Sequence, residues 1–147
     1  MTAALLSVLV LLGASPSPAR AAPAPPPGTP AVTCVVPHDA AARAFRLQQT
    51  KIGWELSMRG TATAGRWISL PLPGASPSFG DGTASLHYRS AYGGRTVTLT
   101  VSPAAASLDV YANYELEVNV DPDLDPKIDL LNTNGPIAGL ACRVTRP

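Results

Sequence analysis

Apolar and polar residues alternate with a period of two along most of the chain beyond residue 31. The longest run lies between Leu108 and Val120, where Leu108, Val110, Ala112, Tyr114, Leu116, Val118 and Val120 occupy every second position. The positions between them are Asp109, Tyr111, Asn113, Glu115, Glu117 and Asn119. Period two buries one strand face and wets the other, so this stretch reads as a single long strand, bent or bulged partway. The same pattern recurs upstream. Ile52, Trp54, Leu56 and Met58 share one face against Lys51, Glu55 and Arg59. Ala84, Leu86 and Tyr88 form another apolar face, as do Val97, Leu99 and Val101 against Thr96, Thr98 and Thr100. Shorter candidates are Val32–Val36, Ala44–Gln49, Trp67–Leu72 and Leu140–Val144, with Asp39–Leu47 open to a short helix instead.

Turn chemistry separates these runs. Gly93-Gly94 closes the segment Ser90–Gly94 between two strands, and Gly80-Asp81-Gly82 marks a second turn. No segment holds helical spacing. Seven or eight short strands divided by Gly and Pro turns predict an all-β domain, a single antiparallel β-sandwich of immunoglobulin-like or jelly-roll-like type. An open barrel is the alternative.

The N-terminus follows different rules. Ala3–Leu12 is apolar except for Ser7, too short to span a bilayer core, and Ala19-Arg20-Ala21 offers a small-x-small cleavage pattern. Residues 1–21 are therefore expected to be a signal peptide, although no Lys or Arg precedes the apolar run. Residues 22–31, with prolines at 23, 25, 26, 27 and 30, read as an extended spacer, leaving 32–147 as the sandwich domain. No later stretch is apolar enough for a membrane span, so a secreted product, free or wall-associated, is expected. Export favours oxidation, and the two cysteines, Cys34 and Cys142, are expected to pair across the domain.

Charge narrows the function classes. The chain carries a formal net charge of +1 at pH 7. Removal of Arg20 with the signal would leave ten basic and ten acidic groups. A near-neutral exported chain gives no support to nucleic-acid binding. Basic groups concentrate before residue 101 and acidic ones after it, and interleaved strands would pair them across the sheets.

Candidate chemistry is sparse. Asp121, Asp123, Asp125 and Asp129 form the densest acidic cluster, and carboxylates at alternate loop positions are the donor type that Ca²⁺ takes. Pro126 and Asn132 stand where an EF-hand loop would place its glycine and bidentate glutamate, so the match to a calcium loop is poor and no other cofactor is expected. Trp67, Tyr92 and Tyr111 are the aromatics expected to point outward. With Asp109 and Asn113 as polar contacts, they make a candidate platform for stacking sugar rings. Trp54 is expected in the core. Catalysis is not expected. The thiols are committed to a bond, and His38 and His87 have no nucleophile in context. Glu115 and Glu117 would share a solvated strand face. The favoured function is an exported, non-catalytic binding or interaction module for glycan, cell wall or an extracellular protein. A secreted protease inhibitor presenting the Pro71–Pro77 loop is the alternative, and a small secreted hydrolase comes third.

One local resemblance accompanies this reading. Ile52-Gly53-Trp54-Glu55-Leu56-Ser57-Met58 resembles a strand of some bacterial cellulose-binding modules, which also bridge cysteines near both ends. It covers seven residues and lacks that family's exposed tryptophans, so it carries no function over.

Overall fold

The computed structural model describes residues 31–145; the expected signal peptide and the spacer up to residue 30 lie outside the described residues. The chain is all-β, with two antiparallel sheets of five strands each. The first sheet contains β1 (Ala31–Val35), β2 (Ala44–Thr50), β3 (Gly53–Arg59), β4 (Ile68–Leu72) and β10 (Ala141–Thr145), in the order β10-β1-β2-β3-β4. The second contains β5 (Ser78–Gly80), β6 (Thr83–Arg89), β7 (Arg95–Val101), β8 (Ala106–Ala112) and β9 (Ile137–Ala138), in chain order. Ten strands thus replace the expected seven or eight, because the short β5 and β9 add an edge to each side of the second sheet.

The path is two successive meanders. β1 to β4 run by hairpins within one sheet, the chain crosses once after β4, and β5 to β9 run within the other; β10 then returns to pair with β1. Immunoglobulin-like and jelly-roll paths cross between sheets more often. Consequently the strands do not interleave, apart from β10 returning beside β1. The basic part of the sequence supplies strands to both sheets, and the acidic residues after residue 100 lie, apart from Asp109, outside the strands, so the expected pairing of opposite charges across a sheet does not occur.

The alternation read from sequence holds in most strands. Leu56 and Met58 in β3, Ala84, Leu86 and Tyr88 in β6, Val97, Leu99 and Val101 in β7, and Leu108, Val110 and Ala112 in β8 all face one shared core. Val32, Phe45, Leu47, Leu70 and Leu72 meet them from the first sheet. Trp54 is half-buried against this core and stacks on Phe79 of β5 with ring centroids 5.4 Å apart, joining the two sheets.

Three local expectations are corrected. Ile52 is 87% exposed, because the β2–β3 hairpin turns through it. Gly53 at φ 129° permits that turn, and the Thr50 hydroxyl donates to the Gly53 carbonyl at 2.9 Å. The Asp39–Leu47 segment is turn followed by strand. The Asp39 carboxylate accepts from the Arg43 backbone at 3.0 Å and from Arg43 Nε at 2.7 Å, which ties the turn before β2. That guanidinium and backbone bonding hold the Asp39 carboxyl below its ordinary value.

The long strand from Leu108 to Val120 stops at Ala112. Asn113 accepts the Leu116 backbone N–H at 3.2 Å as an N-cap, and Tyr114–Val118 forms a one-turn helix, α1. Helical pitch turns Glu117 inward and leaves Leu116 exposed, the reverse of what period two requires. A 3-10 segment, Pro126–Leu131, follows and adds Ile128 and Leu131 to the core.

Cys34 and Cys142 are directly opposed in the β1–β10 register and form a disulfide. They are 108 residues apart in sequence, and the chain-entropy model gives a loop of that size about 4–5 kcal/mol. A Cys34→Ala/Cys142→Ala variant should lose stability of that order in urea unfolding. An unchanged midpoint would show that strand pairing alone closes the domain.

Candidate functional site

The outward face of the first sheet can be read row by row from the register. Arg143, Thr33, Arg46, Ser57 and Ser69 form one row across five strands. The next row runs through Ala141, Val35, Ala44 and Arg59, with Trp67 just ahead of β4. The guanidinium carbons of Arg46 and Arg59 lie 4.8 and 4.9 Å from the Trp67 ring centroid, within cation–π range. Arg46 belongs to β2 and Trp67 precedes β4, so this contact spans β3. Ser57, on β3 between them, is 0% exposed although it points away from the core. Its hydroxyl lies 3.0 Å from that of Ser69.

Among the described residues, neither Arg46 nor Arg59 makes a salt bridge, and the Arg46 Nε is buried without a hydrogen-bond partner. Beyond the edge of Trp67, a cleft of about 280 Å³ is bordered by Thr61, Ala64, Arg66, Lys127 and Leu130. The outward positions of the first sheet's strands carry Arg46, Arg59 and Arg143 against Glu55 alone; those of the second carry Arg89 against Asp109.

The other candidate residues lie elsewhere. Tyr111 and Asp109 are outward on β8, in the second sheet, and Asn113 Nδ2 donates to the Tyr111 hydroxyl at 3.2 Å. Thr133 Oγ1 donates to Asp109 at 3.3 Å. Tyr92 projects, 61% exposed, from the β6–β7 hairpin at one end of the sandwich. The structure therefore gathers Tyr111, Asp109 and Asn113, and sets Trp67 on the opposite face.

The acidic segment is dispersed by its own turns. Asp121 accepts the Asp123 backbone N–H, Asp125 accepts that of Lys127 as the N-cap of the 3-10 segment, and Asp129 accepts that of Tyr114 at 2.8 Å. Among the described residues, no group of three or more His, Cys, Asp or Glu is placed to hold a metal ion. The hydrolase candidates also part company. Glu115 is exposed on α1, Glu117 is buried, and His38 is exposed while its neighbour Asp39 is engaged by Arg43. In the inhibitor candidate, Pro71 and Leu72 belong to β4, and Leu72 is 0% exposed.

A buried ion pair was not anticipated. Arg95 Nη2 donates to Glu117 Oε2 at 3.1 Å, with both residues buried, and Arg95 Nη1 donates to the Pro71 carbonyl of β4. Ser90 Oγ donates to Glu117 Oε1 at 2.7 Å and accepts from the Arg95 backbone at 3.1 Å. Gly94 admits this arrangement, since a Cβ there would lie 2.6 Å from Glu117 Oε1. The cluster borders an end pocket of about 520 Å³ that includes Tyr88, Arg89, Tyr92 and Leu124. Burial pushes the Tyr88 phenol above its ordinary value. The sequence held one signal: Arg95 is in phase with Val97, Leu99 and Val101, so the alternation itself aims it at the core.

Comparison with known protein families, curated proteins and solved structures returns no match for this chain.

Removing one partner of the buried pair strands the other charge. Glu117→Gln should cost about 3–5 kcal/mol in urea unfolding, while Arg95→Met/Glu117→Leu should recover most of that loss. An unchanged midpoint in Glu117→Gln would show that the pair does not hold hairpin, helix and β4 together.

Proposed function

We propose that this chain is an exported, non-catalytic binding module directed at a glycan, and that its ligand face is the outward face of the first sheet around Trp67. The observation that carries the proposal is the cluster of Arg46 and Arg59 on Trp67, two guanidiniums without carboxylate partners on a solvent-facing sheet. Charged side chains left unpaired beside an aromatic are available to a ligand in a way that Tyr111, bonded to Asn113, and Asp109, bonded to Thr133, are not. The adjoining cleft extends the face past the β4 edge.

Export is supported by the disulfide, which oxidising compartments favour, and no helix among the described residues is long and apolar enough to cross a membrane. The non-catalytic reading draws on the separation of Glu115 from the buried Glu117. Protease inhibition would need the 71–77 segment as a free rigid loop, whereas its first two residues are strand.

The test is retention of the oxidised full chain on insoluble polysaccharides and cell-wall preparations. Trp67→Ala should abolish retention and Tyr111→Ala should preserve it. Loss on Tyr111→Ala with retention in Trp67→Ala would move the ligand face to the second sheet. Equal passage of all three proteins would end the glycan reading.

A further inference from the structure

Resting on the reading above, we infer that the ligand of the Trp67 face is an acidic polysaccharide, held by Arg46 and Arg59 with Trp67 as their scaffold instead of as a sugar-stacking surface. A neutral sugar packs its apolar face on a free aromatic ring. Here two guanidiniums already lie over that ring, and the ring is itself half-buried. A neutral glycan would have to displace both arginines to reach it. An anionic group needs no displacement, because stacking leaves the guanidinium N–H edges free to donate.

The donor inventory agrees. Neither guanidinium donates a hydrogen bond among the described residues, and the buried Nε of Arg46 is an orphaned donor inside the cluster. Arg143 continues the row of Arg46 two strands away, a separation of about 9–10 Å from the strand spacing. Exposed Arg66 adds a further positive group beyond Trp67. Positive groups set out along a line match a ligand with repeated charges better than a single carboxylate.

An acidic protein partner fits less well. Protein interfaces concentrate affinity in apolar anchors that desolvate completely. On this face the one large exposed apolar side chain of a strand is Val35, and Trp67 is already occupied. Other outward positions include the hydroxyls of Thr33 and Ser69, beside small residues such as Ala44 and Ala141 and a Glu55 already bonded to Gln48, a surface that suits a hydrated polymer rich in hydroxyls.

The experiment is affinity electrophoresis of the oxidised full chain against soluble polymers, with Arg46→Gln, Arg59→Gln and Arg89→Gln, the last on the second sheet. Polygalacturonate and dextran sulfate should retard the protein, and dextran and hydroxyethyl cellulose should not. Each of Arg46→Gln and Arg59→Gln should weaken the retardation by about tenfold or more, and Arg89→Gln should leave it unchanged. Raising NaCl from about 0.05 to about 0.5 M should weaken it as well, a readout independent of how any variant folds. Trp67-dependent retardation by the neutral polymers would overturn this inference and leave the binding-module reading standing. No retardation by any polysaccharide would overturn both. Equal retardation by poly-L-glutamate or single-stranded DNA would overturn the polysaccharide assignment in favour of a general anion site.

Discussion

The pairing of β10 with β1 is the constraint on which the rest of this domain depends. Every other strand in the first sheet pairs with its neighbour in sequence, and the second sheet is likewise built of neighbours in sequence. Two meanders joined by one crossover have no topological reason to stay face to face. The chain supplies one by returning its last strand to the sheet of its first, and Cys34–Cys142 makes that return covalent. The residues between the two cysteines then fold within a closed loop, with far fewer unfolded arrangements to lose. The disulfide thus adds to the stabilisation supplied by the largely aliphatic core shared between the sheets.

The buried pair of Arg95 and Glu117 does the same work at one end of the sandwich by different physics. Arg95 leaves β7, reaches the Pro71 carbonyl in the opposite sheet and meets a carboxylate from α1, so one side chain fixes three elements. Ion pairs that lose their water gain little net free energy, but they are intolerant of misplacement. That intolerance makes the pair a device for position: it sets the angle at which α1 leaves β8, and with it the border of the end pocket. Gly94 is part of the same device, because any side chain at that position would occupy the space of the Glu117 carboxylate.

How much of this was readable in advance follows from whether the information is local. Alternation in β3, β6, β7 and from Leu108 to the end of β8 declared the strands and their core faces, since a side chain's face depends only on its parity. Parity also placed Trp67 outward. The long run ending at Val120 misled because a residue sequence can satisfy period two and helical capping at once. Asn113 is a good N-cap, and the helix it starts turns Glu117 toward Arg95, a partner 22 residues away that no local pattern names. The charge asymmetry between the halves was visible, but its consequence depended on topology. Interleaved strands would have neutralised it, whereas here most of the acids fall outside the strands, in α1 and the turns after it, and leave the outward arginines of the first sheet with Glu55 as the one acid on its strands.

The Trp67 cluster shows why site residues are harder to read than folds. Two members were legible alone, as an outward tryptophan and an outward Arg59, while Arg46 was read only as a basic residue. What joins them is cross-strand register, which brings β2, β3 and β4 together over Ser57 and exists only once the sheet is formed. Register also separates what composition had grouped, because Tyr111 belongs to the other sheet and no movement of side chains could bring it to Trp67. The same geometry changes the chemistry assigned to the tryptophan. A lone exposed indole offers a face to a sugar, whereas an indole carrying two guanidiniums offers their N–H edges, and the preference shifts from apolar stacking to charge.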